Sequence, residues 1–130
     1  YPLLIISQES LQDLNGRMTQ PLSMNRFRPN IVLDGVEPYE EDVMEEFAIN
    51  GINFFGVKLC ARCAITTINQ DTAVKNKEPL RTLAIYRMRN NNVYFGQNVV
   101  YRGMGTIKTG DTIQIIRRKE MPVFEQEKLS

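Results

Sequence analysis

Phe47-Ala-Ile-Asn-Gly-Ile-Asn-Phe54 is the stretch whose reading decides the fold. Asn50-Gly51 stands between two apolar runs, and a two-residue type I′ hairpin turn demands that dipeptide because both central residues must take positive φ. The spacing therefore predicts two antiparallel strands, the second running from Ile52 to about Lys58. Downstream, the β-branched run Ala64 to Ile68 predicts a further strand, Asn69 to Glu78 a polar loop, and Pro79 to Arg87 a short helix or an irregular strand. Asn90-Asn-Asn92 turns the chain into a strand from Val93 to Tyr101, with Gly96 inside it as a bulge or a point of close approach. A second hairpin is expected from Gly105 to Lys108, through the turn Thr109-Gly-Asp111, into Thr112 to Arg117.

Upstream, Tyr1 to Ile6 is an apolar strand-like run with no turn signal before it, so a further N-terminal part is expected to precede it. Ser7 can cap a short helix from Glu9 to Asn15, with Leu11, Leu14 and Met18 at helical spacing and Asn15-Gly16 as its stop. Asn25 to Pro29 reads as an extended entry into a strand from Asn30 to Leu33, which ends at Asp34-Gly35. Glu37 to Glu46 holds five glutamates and one aspartate without the spacing or the glycine of a calcium loop, and reads as a solvated face. Six or seven short strands and one clear helix argue for a mainly β protein. The expected fold is an antiparallel barrel-like or curled sheet with one or two short helices, occupying residues 1–117 and followed by a charged tail or linker at 118–130.

The 130 residues are 42% hydrophobic and carry a formal net charge of +1, which fits one domain and gives no general reason to bind nucleic acid or an acidic membrane. No apolar run approaches the roughly 18 residues of a membrane span. A soluble, cytoplasmic protein is the expectation. The chain contains no histidine, which removes Ser-His-Asp hydrolysis, Cys-His proteolysis and the His-Glu-x-x-His zinc proteases.

Both cysteines fall in Cys60-Ala-Arg-Cys63, between Lys58 and Thr66-Thr67. Four chemistries compete for such a pair. A zinc site would be only half supplied, and a thioredoxin-like pair needs a following helix where the sequence has β-branched residues. Two partly buried thiols packed as small hydrophobes form the third reading. In the fourth, a thiolate binds a soft metal or carries sulfur, while Arg62 offers a fork that matches an anionic cofactor. That chemistry needs further polar groups, and Arg28, Asn30 and Asn98 stand at strand starts. Spacing alone leaves all four open.

Phe27-Arg-Pro-Asn-Ile31, Cys60-Ala-Arg-Cys63 with Thr66-Thr67, Glu78-Pro-Leu-Arg-Thr-Leu83, Phe95-Gly-Gln-Asn98 and Ile107-Lys-x-Gly-Asp111 occur in this order. The sequence thereby resembles MOSC domains, the C-terminal domain type of molybdenum cofactor sulfurases, and most of all those of the amidoxime-reducing components and their bacterial counterparts. The resemblance implies a molybdenum–molybdopterin cofactor with the metal on the Cys63 thiolate. It implies cofactor contacts from Arg28, Asn30, Ala61, Arg62 and Asn98, and assigns Cys60 no metal role, leaving it a structural thiol or a neighbouring redox thiol. It further implies reduction of a small N-hydroxylated substrate with electrons from a separate iron–sulfur or flavin protein. An alternative is a sulfur-carrier or cofactor-delivery module holding a persulfide on Cys63, and a third is a binding domain without activity. Pyridoxal phosphate binding is associated with the family as a whole. Relatives of this kind carry an N-terminal barrel region that contributes to the cofactor pocket.

Overall fold

The computed structural model describes residues 2–62 and 78–125. Asn50 and Gly51 take φ of 49° and 80°, as a type I′ turn requires, and join β3 (Met44–Ile49) to β4 (Ile52–Arg62) with Ile49 opposite Ile52. Around this hairpin the chain runs β1 (Leu3–Ser7), α1 (Gln8–Gly16), β2 (Ile31–Leu33), β3, β4, α2 (Leu80–Tyr86), β5 (Met88–Arg89), β6 (Asn92–Arg102) and β7 (Ile113–Arg118). The described strands form one curled sheet in the order β2-β1-β6-β4-β3-β7, with β5 paired to β6. The pairings are antiparallel except for β1 with β2, which run parallel because α1 carries the chain back between them, so the sheet is mixed.

Side chains alternate across β1, and both faces are buried. Ile5 joins Ile31, Leu33, Met44, Phe47, Ile49, Ile52, Phe54 and Val99 on the inner face of the curl. Ile6 joins Phe27, Val93 and Phe95 beneath the helices, which contribute Leu11 and Leu14 from α1 and Leu83 from α2. Ser7 caps α1 by accepting from the Ser10 N–H at 2.9 Å. The curl stops short of a closed barrel, and a cleft of about 970 Å³ lies between the β2 and β7 sides.

Four sequence expectations are corrected. The stretch before Pro29 is not extended: Met24–Phe27 forms a 3-10 turn and Arg28 is left-handed at φ 56°, ψ 49°. Proline favours extended backbone in the residue before it, yet here the Arg28 N–H closes the turn on the Asn25 carbonyl at 3.2 Å and the chain leaves it left-handed. The acidic segment is not wholly solvated. Glu41 and Asp42 are 0% and 2% exposed. They are matched by partners that only the fold brings near: the Ser7 N–H donates to Glu41 Oε2 at 2.9 Å, and Arg87 Nη2 donates to Asp42 Oδ2 at 2.8 Å.

The second expected hairpin does not form, because β7 pairs with β3, placing Ile115 opposite Phe47 and Ile113 opposite Ile49. The free edge of β3 offers those isoleucines a place at the inner core, which the short 105–108 run does not. The turn itself is present, with the Asp111 N–H donating to the Lys108 carbonyl at 3.1 Å. Finally, residues 118–125 are held to the domain. Lys119 Nζ donates to the Gly56 carbonyl at 2.9 Å, the Glu125 N–H donates to the Met88 carbonyl at 2.8 Å, and Phe124 lies over the Arg87 guanidinium at 4.5 Å. The strand expected at 64–68 lies outside the described residues.

Candidate functional site

The site is built where β4 ends beside β6. Gly96 sits at φ +94°, and a Cβ there would lie 2.9 Å from Leu4 Cδ1 and 3.0 Å from Ile6 Cγ1. Only glycine allows β1 to approach so closely. The ladder slips at this glycine, since Leu59 faces Gln97 while Ala61 faces Tyr94, which leaves one extra residue on β6. Such a bulge frees backbone groups from the ladder and re-aims the strand end. Arg62 uses the opening: its Nε donates to the Phe95 carbonyl at 3.1 Å and its Nη1 to the Phe27 carbonyl at 3.4 Å.

Beneath the guanidinium lies the Phe27 ring, 5.3 Å from Cζ, itself packed on Phe95 at 4.7 Å. The remaining nitrogen, Arg62 Nη2, is buried and has no hydrogen-bond partner among the described residues. Burial pushes Arg62 below its ordinary pKa, and the neighbouring Cys60 pulls it partly back. A guanidinium stays charged across the physiological range even so, and a half-buried cation with a buried, unused donor fits an anion.

The other predicted residues follow from this point. Arg28 comes directly after Phe27, whose carbonyl Arg62 occupies, so the turn sets Arg28 next in the chain to Arg62's acceptor; its side chain is exposed. Asn30 pins the same corner: its backbone N–H donates to the Leu4 carbonyl and its Oδ1 accepts from the Leu4 N–H, both at 2.8 Å. Asn98 stands opposite Leu4 on one side and Lys58 on the other. Leu4, Asn98 and Lys58 thus form a row across three neighbouring strands, which Asn30 extends at the entry to β2. Ala61 is exposed at the end of β4, and the half-buried Cys60 is a free thiol. Cys63 lies outside the described residues, one peptide bond beyond Arg62.

The MOSC domain family matches residues 1–114. The chain belongs to the MOSC domain family. It is 40% identical over 124 residues to mitochondrial amidoxime-reducing component 1 of Homo sapiens, covering 88% of this chain and 37% of that protein. It is 38% identical over 121 residues to mitochondrial amidoxime reducing component 2 of Bos taurus, covering 86% and 36%. Molybdenum cofactor sulfurase of Oryza sativa subsp. japonica is 39% identical over 105 residues, covering 72% of this chain and 13% of that protein. The chain thus spans little more than a third of the length of the amidoxime-reducing components that it matches.

Within this MOSC domain the structure also brings in groups that sequence reading missed. Phe27 and Phe95 form the floor under Arg62, a role signalled in sequence only by the arginines flanking Phe27. Arg87 is 3% exposed; its guanidinium lies 4.3 Å from the Tyr39 ring centre and 4.5 Å from that of Phe124, paired with Asp42. Nothing in the local sequence marks that cluster, because its four members come from three separate segments. No group of three or more side chains that could ligate a metal is found among the described residues. No helix among them is long and apolar enough to cross a membrane.

Proposed function

We propose that this MOSC domain binds a molybdenum–molybdopterin cofactor through the Cys63 thiolate and serves in a reductase of N-hydroxylated compounds. The observation that carries the reading is Arg62, a half-buried guanidinium with two donors fixed on backbone carbonyls and a buried Nη2 left without a partner among the described residues. The adjoining residue is a cysteine, and the relatives named for amidoxime reduction match along most of this chain. The donor set suits the group: a soft thiolate for molybdenum and a forked cation for the cofactor's phosphate.

In this reading Arg62 and the exposed Arg28 bind the anionic end of the cofactor. Asn30 has its Oδ1 committed to Leu4 and offers the cofactor its side-chain N–H groups, with Asn98 opposite Leu4 within β6 and the exposed Ala61 near the end of β4 as further contacts. Phe27 and Phe95 exclude water from one side of Arg62, which strengthens its hold on an anion. When bound, the group supplies two-electron reduction of an N–O bond, with two protons taken up and water released. The electrons come from a separate iron–sulfur or flavin protein.

Metal analysis of the full-length protein, produced with molybdate, tests the reading. Molybdenum is expected near one per chain and lost in Cys63→Ser; a full-length protein without metal overturns it. The similarity to a molybdenum cofactor sulfurase favours one alternative, a persulfide carried on Cys63. That alternative predicts a mass increase of one sulfur on the peptide holding Cys63 after exposure to a sulfur donor, and it fails if only Cys60 is modified.

A further inference from the structure

We infer that the Met24–Phe27 turn is a clasp across the candidate site, and that Arg26 is a positioning residue within it, acting through Glu78 and not on a ligand. The inference rests on the roles proposed above for Arg28, Arg62 and Cys63. One turn holds two points that are distant in the chain. On one side Arg62, the last residue of β4, donates from Nη1 to the Phe27 carbonyl at 3.4 Å. On the other, Arg26 Nη2 donates to the Glu78 carbonyl at 3.2 Å, just before α2. Glu78 is itself fixed, since its Oε1 accepts from the Thr82 N–H at 2.9 Å and from the Thr82 hydroxyl at 2.8 Å.

The two halves of the clasp differ in kind. Phe27 is 3% exposed and packed on Phe95, so its end of the turn is set by the core. Arg26 is exposed and bonds across the surface, so its end is set by one charge-assisted hydrogen bond. Arg28 follows in the left-handed conformation. Without Arg26 the turn can pivot about Phe27, and Arg28 then moves relative to Arg62 while the core is untouched. A surface hydrogen bond without this consequence is the competing account, and the two are separable.

The test compares Arg26→Gln and Arg26→Lys in the full-length protein by amide hydrogen exchange and by the rate of molybdenum loss. The amides of Arg28 and Thr82 report on the two ends of the clasp, and the β3–β4 hairpin reports on global stability. Arg26→Gln is expected to speed exchange at Arg28 and Thr82 by about two- to tenfold, the scale of one lost hydrogen bond, with the hairpin unchanged. Metal loss is expected to quicken by a similar factor, and Arg26→Lys, which keeps a charged donor, to restore much of both. Unchanged exchange at Arg28 and Thr82 overturns the clasp, as does an equal rise in the hairpin. Faster exchange with metal retained as in the wild type overturns the positioning role. Full metal retention by Cys63→Ser instead refutes the proposed function and leaves the exchange result to judge the clasp.

Discussion

Replacing Gly96 by alanine tests the join between fold and site most directly. At φ +94° an alanine sits where L-residues rarely go, which costs about 1–3 kcal/mol. Its Cβ would also stand 2.9 Å from Leu4 Cδ1, 3.0 Å from Ile6 Cγ1 and 3.3 Å from the Ile5 carbonyl oxygen. The two side chains can yield, but the backbone of β1 cannot do so without breaking its ladder with β6, and overpacking of this kind costs about another 1–3 kcal/mol. The sum, about 2–6 kcal/mol, is a large part of the roughly 5–15 kcal/mol that holds a domain folded. Urea and thermal unfolding read the loss, with Tm expected to fall by on the order of 10 °C. Gly16→Ala is the control: nothing lies within 4 Å of its Cβ and its φ is unstrained, so it is expected to be neutral or stabilising by a few tenths of a kcal/mol. A Gly96→Ala protein within about 0.5 kcal/mol of wild type would refute the claim that close approach at this bulge shapes the strand end that carries Arg62.

Three further outcomes follow from the same geometry. Burial pushes the Asp42 carboxyl from 3.8 up to about 6 against the pull of Arg87, so between those values the folded state holds more protons than the unfolded one. Stability contributed by Asp42 is therefore full below pH 3.8 and falls as pH rises through 6, and urea midpoints across that window should lose this slope in Asp42→Asn. Phe124→Ala removes one of the two rings around Arg87 and should cost about 1–3 kcal/mol while returning Asp42 toward its ordinary value; an unchanged urea midpoint would show that the Phe124 ring adds nothing to the domain. Asn30→Asp keeps the oxygen that accepts from the Leu4 N–H and should unfold like wild type, but its charge opposes an anionic cofactor; equal metal content in the two proteins would remove Asn30 from the cofactor contacts.

The sequence by itself determined what rests on neighbours in the chain. Asn50-Gly51 fixed the β3–β4 hairpin because positive φ at two successive residues is a local demand, and Ser7 fixed the start of α1 because its hydroxyl needs only Ser10. Gly96 was legible as a bulge or close-approach point because a glycine inside a β-type run is itself the signal, although its cause is the distant strand β1, and the order of short motifs was enough to mark the family. Only the tertiary structure decided what depends on distant partners. It chose β3 over residues 105–108 as the mate of β7, since that edge leads Ile113 and Ile115 to the inner core. It buried Glu41 and Asp42 against Ser7 and Arg87, where a run of acids reads as solvated for want of any visible partner. It brought Arg62 over Phe27 onto two carbonyls, leaving Nη2 as the buried donor. Charge and hydrogen-bond satisfaction are properties of the assembled site, and no window of sequence contains them.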